Sequence, residues 1–141
     1  MSDLIMKDIL SEMVGGLTGI RLIAILDIDS MLLASWESPD NNLSPEGLGG
    51  FVQQVNSTIK SFKQSATGLN RLNDVILNTS SGYMLLKPIC NGACFIVVDA
   101  PRAASLGEIR MACNNYAPLL EQAIPGQVPE PQSDKIETIV P

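Results

Sequence analysis

The chain has 141 residues, 45% of them apolar, and a net charge of −6. That length suits one ordinary domain with a real core. The acidic balance, with basic residues scattered rather than clustered, argues against binding nucleic acid. Histidine is absent, which removes imidazole acid–base catalysis, the Ser-His-Asp triad and His metal ligands together.

The start, "MSDLIMKDIL", carries acids and lacks the basic opening of a secretory signal. No apolar run approaches the roughly 18 residues that span a bilayer. The expectation is a cytoplasmic chain with no membrane insertion. Residues 2–14 predict a helix capped by Ser2, with Leu4, Ile5, Ile9, Met13 and Val14 as its apolar stripe. Gly15 and Gly16 end it.

"IRLIAILDI" (20–28) reads as a strand and "MLLASWE" as its hairpin partner, with Asp29 and Ser30 in the turn. A turn that needs positive φ prefers glycine where Ser30 stands. Asp27 and Asp29 are either a paired-carboxylate cation site or a hairpin closure, and the closure is the commoner arrangement. Trp36 fits either an exposed anchor or a strand-end core residue.

Ser44-Pro45-Glu46 is a helix start with cap, first-turn proline and acid. Leu48, Phe51, Val52, Val55, Ile59, Phe62 and Ala66 then make a helical face, and Gly68 closes it. Gly47, Gly49 and Gly50 in its opening turns suggest a close backbone approach.

Three short strands follow: "NDVILNT", then "YMLLKPI" after the Ser81-Gly82 turn, then "ACFIVVDA" after Asn91-Gly92. Pro88 needs a place without a ladder donor. The three cysteines, 90, 94 and 113, are read as reduced thiols. A two-residue loop sets Cys90 and Cys94 on opposite hairpin faces. A loop one residue longer sets them facing each other, where a disulfide is geometrically open. Asp99 stands near Arg102, in the default arrangement a solvated loop pair.

Ser105 and Glu108 have capping-box spacing at the head of a last helix, 105–123, whose inner face is Leu106, Ile109, Cys113, Tyr116 and Leu120. Gly107 in its first turn suggests close contact between helix and sheet. Arg110 is placed outward or on a nearby carboxylate. Pro118 predicts a kink. The end of the chain is rich in proline and polar residues and reads as a flexible tail. Within it Ile136, Ile139 and Val140 have the spacing of a short docking helix.

The order is α-β-β-α-β-β-β-α. It predicts an α+β domain over 1–124 and a tail over 125–141. Five antiparallel strands carry the central helix on one face and the two terminal helices on the other.

"ASLGEIRMAC" after an apolar strand resembles the opening of the last helix in the roadblock (dynein light chain) family. "GLTGIRLIAILDIDSMLLASW" resembles that family's first hairpin, and "SSGYMLLKPI" and the order of elements fit as well. The resemblance covers about residues 4–124. Ser30, Pro118 and the proline-rich tail depart from the family pattern.

The resemblance implies a partner-binding dimer with no cofactor and no chemistry of its own. MglB-like members regulate a Ras-like small GTPase, and others are structural adaptors. Carried onto this sequence, Phe51, Val55, Ile59 and Phe62 face the sheet. Gly47, Gly49, Gly50, Gln53, Asn56, Ser57 and Lys60 face a second copy, a related chain or a partner, and Asp74 and Ile76 lie on the strand that pairs across the dimer. The central helix and the loop before it carry no arginine, so activation would proceed without an arginine finger. An enzyme or small-molecule sensor is the weakest alternative, because no phosphate-binding loop or nucleophile motif is present.

Overall fold

In a computed structural model, residues 2–29, 31–65 and 72–125 are described. The predicted turn residue Ser30, the α2 end at Ala66 and Gly68, and the tail with Ile136, Ile139 and Val140 lie outside them.

The elements are α1 (Ser2–Gly15), β1 (Leu22–Asp27), β2 (Leu32–Glu37), α2 (Leu48–Ser65), β3 (Val75–Thr79), β4 (Gly82–Ile89), a 3₁₀ turn (Cys90–Gly92), β5 (Cys94–Pro101) and α3 (Leu106–Ala123). The predicted order is the observed one. The five strands form one antiparallel sheet in the order β2-β1-β5-β4-β3.

Helices cover both faces, so the central strands are apolar without alternation over Leu22–Leu26 of β1 and Cys94–Val98 of β5. Ile23, Ile25, Leu85, Ile96 and Val98 point to one face and pack under α1 and α3. Leu22, Ala24, Leu26, Leu86, Phe95 and Val97 point to the other and pack under Leu48, Val52 and Ile59 of α2. Among the described residues no helix is long and apolar enough to cross a membrane.

Several local expectations differ from the structure. On α1 the buried stripe is Met6, Leu10 and Met13, while Ile5 is exposed. The sheet meets α1 one residue further round than its aliphatic residues suggest. Ser44 does cap Gly47 N–H at 3.3 Å, but the bonds that follow are of the i to i+3 kind, so α2 proper begins at Leu48. The last helix runs through Pro118 without a break. Asn114, whose carbonyl loses a donor there, is exposed, so water can take the donor's place.

Gly107 gives the plainest correction. It is exposed, and a Cβ built on it meets nothing within 4 Å. No close approach between helix and sheet requires it. The α3 cap is as predicted: Ser105 Oγ accepts from Glu108 N–H at 3.2 Å.

Candidate functional site

The sheet has two margins. At one, β2 pairs with β1 alone and α1 packs over the face of the sheet there. At the other margin β3 pairs with β4 alone. Its Val75, Ile76 and Leu77 are half-buried, and Asn78 and Thr79 are exposed. A strand with one bonded edge presents unpaired N–H and C=O groups along the other.

Next to this margin lies a groove of about 710 Å³. Leu48 and Phe51 of α2 form one wall, and Leu77 and Met84 of the sheet form the floor. Its polar rim includes Arg21 and Asp99, an ion pair at 2.9 Å. Arg21 Nη2 also donates to Ala100 O at 3.0 Å and Ser81 O at 3.3 Å. This one guanidinium therefore ties β5 to the β3–β4 turn. Gly82 makes the arrangement possible: its φ is 150°, and a Cβ there would collide with Ala100 O and crowd the Arg21 guanidinium. Sequence reading missed this cluster. Arg21 and Asp99 are 78 residues apart, and only the β1–β5 pairing brings them together.

The helix beside the groove changes character along its length. Leu48, Gly49, Val52 and Ile59 are buried, and Phe51, Val55 and Asn56 are half-buried. Residues 60–65 are all exposed, Phe62 at 53%. Phe62 therefore does not face the sheet as its spacing suggested, because the helix has passed its last sheet contact at Ile59. Gly47, Gly50, Gln53, Ser57 and Lys60 are exposed on its outer side, whereas Gly49 is buried. Gln53 Nε2 donates to Ile28 O at 3.3 Å.

Asp74 and Ile76 turn toward α3. Arg110 holds both carboxylate oxygens of Asp74, at 2.8 and 3.0 Å, and the hydrogen-bonded carboxylate raises the guanidinium's proton affinity further. Ile76 packs on the α1–α3 core. The side chains at this margin thus serve the fold, and the backbone edge is what faces outward.

Other candidates resolve simply. Asp27 Oδ1 accepts from Asp29 N–H and Met31 N–H, both at 2.9 Å, and so closes the hairpin. Asp99 pairs with Arg21 rather than Arg102. Arg102 donates to Asn78 Oδ1 at 2.7 Å and lies over the Tyr83 ring. Trp36 packs against the α1–α3 core. The three cysteines are free and buried.

The sequence matches no protein-family model and no curated protein. The fold does match solved structures. The Roadblock/LC7 domain from Streptomyces avermitilis superposes with a TM-score of 0.65 at 16% identity, over 81% of this chain and 96% of that one. The chain therefore has the roadblock/LC7 fold. Two MglB structures superpose on it as well. The gliding protein MglB of Thermus thermophilus superposes with a TM-score of 0.74 at 14% identity, over 86% of this chain and 90% of that one. Myxococcus xanthus MglB gives 0.70 at 12%, over 86% and 91%. At such identities the likeness is one of fold.

Proposed function

We propose that this chain is a homodimeric binding module that regulates a Ras-like small GTPase in the manner of an MglB-like activator. The supporting observation is the open margin at β3, flanked by a groove and by an α2 end that exposes Phe62. A second copy, or a related roadblock chain, would pair with the β3 backbone beside Asp74 and Ile76. It would cover the outer side of α2 at Gly47, Gly50, Gln53, Asn56, Ser57 and Lys60. Gly49, which is buried in the single chain, would not reach it. The domain proper is 1–124, and 125–141 is a tail outside it. The chain would work in the cytoplasm, without catalytic residues or a cofactor.

Activation would be indirect. The described arginines 21, 102 and 110 are all engaged by their own chain, and α2 carries none. Among the described residues, then, no unengaged arginine stands on this surface to reach a transferred phosphoryl. The same observation favours a second reading, a structural adaptor of this fold with no effect on hydrolysis.

The test is capture from native lysate with the purified protein as bait, in a non-hydrolysable GTP analogue and again in GDP. A Ras-like GTPase held mainly with the analogue, and hydrolysing faster with this protein added, is the expected result. Equal retention in both nucleotides with unchanged hydrolysis moves the assignment to the adaptor. Sedimentation showing a monomer at micromolar concentration overturns the dimer.

A further inference from the structure

Alternation along a strand sends neighbouring side chains to opposite faces. Ile89 and Cys94 oppose each other on the last rung between β4 and β5, and both lie in the α1–α3 core. Cys90 follows Ile89 and by alternation belongs on the other face. It lies in the same core instead, 4% exposed.

The reason is its backbone. Cys90 has φ 53°, Asn91 57° and Gly92 90°. Asparagine and glycine are the usual occupants of this left-handed region, and a cysteine there is held at a cost of about 1–3 kcal/mol. Two bonds hold it. Glu121 Oε2 on α3 accepts from Cys90 N–H at 2.8 Å, and Cys90 O accepts from Ala93 N–H at 3.1 Å.

The result is a thiol pair. Cys90 and Cys94 bracket the turn, and both side chains belong to the core on one face of the sheet beside the Ile89–Cys94 rung. The neighbouring Cys94 thiol, followed by burial, pushes the Cys90 thiol well above the ordinary range. The Cys90 thiol in turn lowers the proton affinity of Cys94, against the opposing effect of its burial.

We propose that Cys90 and Cys94 form a reversible disulfide site, closed by exchange with a small soluble disulfide of the glutathione class. The Cys94 thiolate attacks one sulfur of that disulfide, forming a mixed disulfide and releasing one small thiol. The Cys90 thiolate then attacks Cys94 Sγ and releases the second. Two protein thiols become one protein disulfide, one small disulfide becomes two small thiols, and the two protein protons end on the products. Both sulfurs are buried, Cys90 at 4% and Cys94 at 1%, so exchange proceeds when the turn and the end of α3 that Glu121 joins to it open together. Closure would fasten the β4–β5 turn where Glu121 joins it to the end of α3. Cys113 is not part of the pair. It lies on the buried face of α3, where burial pushes its thiol up to about 12.

The test uses the full chain, equilibrated without denaturant across mixtures of reduced and oxidised glutathione. Intact mass should fall by two hydrogens as the mixture becomes oxidising. After unfolding and alkylation, the tryptic peptide ending at Arg102, which holds both residues, should carry no alkyl group, while Cys113 on a separate peptide is alkylated. Cys90→Ser and Cys94→Ser should each abolish the two-hydrogen loss. Full alkylation of both thiols at every mixture overturns the proposal. So does a stable adduct of glutathione, or closure seen only in urea. None of these outcomes depends on whether the chain binds a GTPase.

Discussion

Asp74 and Arg110 lock the start of β3 to the first turns of α3. The guanidinium grips both carboxylate oxygens, at 2.8 and 3.0 Å, and the Asp74 side chain is only 4% exposed while Arg110 is half in water. The exposed partner is therefore the one that keeps a nearly buried charge satisfied. Arg110→Ala should lower the thermal midpoint clearly, and Arg110→Lys, which keeps charge but not the two-point grip, should fall between. Met111→Ala, next door and 64% exposed, should change stability by no more than about 0.5 kcal/mol. A thermal melt of the three variants checks the order, and an Arg110→Ala protein as stable as Met111→Ala sinks the assignment.

Two glycines should respond in opposite directions to the same substitution. Gly82→Ala meets Ala100 O and an unfavourable φ, and should destabilise by about 3 kcal/mol or more. Gly107→Ala meets nothing, sits on an exposed helical turn and should stabilise by about 0.5–1 kcal/mol. Urea titration of both variants separates a packing glycine from an incidental one. A neutral Gly82→Ala would contradict the turn geometry.

Alkaline pH should reveal Cys113. Burial raises its folded pKa to about 12 from an ordinary 9.0. Between those values the unfolded chain loses a proton that the folded chain keeps. Stability from this group is thus full below about pH 9 and declines up to about pH 12, by roughly 1.4 kcal/mol per pH unit at most. Cys113→Ala starts less stable but should show a shallower decline over that window. Parallel slopes in denaturant titrations at pH 8, 9.5 and 11 would rule this out.

The dimer reading predicts that Phe62 matters more to association than to folding. At 53% exposure it contributes little to the single chain's core. Phe62→Ala should leave the urea midpoint of the diluted monomer nearly unchanged and weaken self-association about tenfold or more, near 1.4 kcal/mol. Gly50→Ala, open in the single chain, should weaken association without costing helix stability. Sedimentation equilibrium measures both, and unchanged association in the pair counts against α2 as the contact.

Much of the architecture was readable because it rests on local chemistry. The hairpin signals at Ser81-Gly82 and Asn91-Gly92 mark the two turns, although the first turn is made by residues 80–81 with Gly82 already in β4 and the second spans 90–93. These signals, the Ser105 cap and the aliphatic run of β1 each act within a few residues of chain. The α2 face was readable only as far as Ile59. Helical periodicity marks which residues share a side, but not where the sheet beneath the helix ends, so Phe62 was misplaced. The stripe of α1 failed for a related reason: Ile5 and Met6 are both apolar, and only the position of the sheet chooses between them.

By itself, then, the sequence determined the order of elements, the two-sided burial of the central strands and the absence of imidazole chemistry, because composition and short-range pattern carry these. The tertiary structure alone decided the partners. Arg21 met Asp99 rather than Asp99 meeting Arg102, Asp74 turned to Arg110, and Gly82 rather than Gly107 proved to be the glycine that packing requires. It also set Cys90 beside Cys94, through a left-handed backbone held by Glu121 from 31 residues away. Such contacts depend on strand register and on how helices lie across a sheet, and long-range pairing of this kind leaves no periodic mark in the chain.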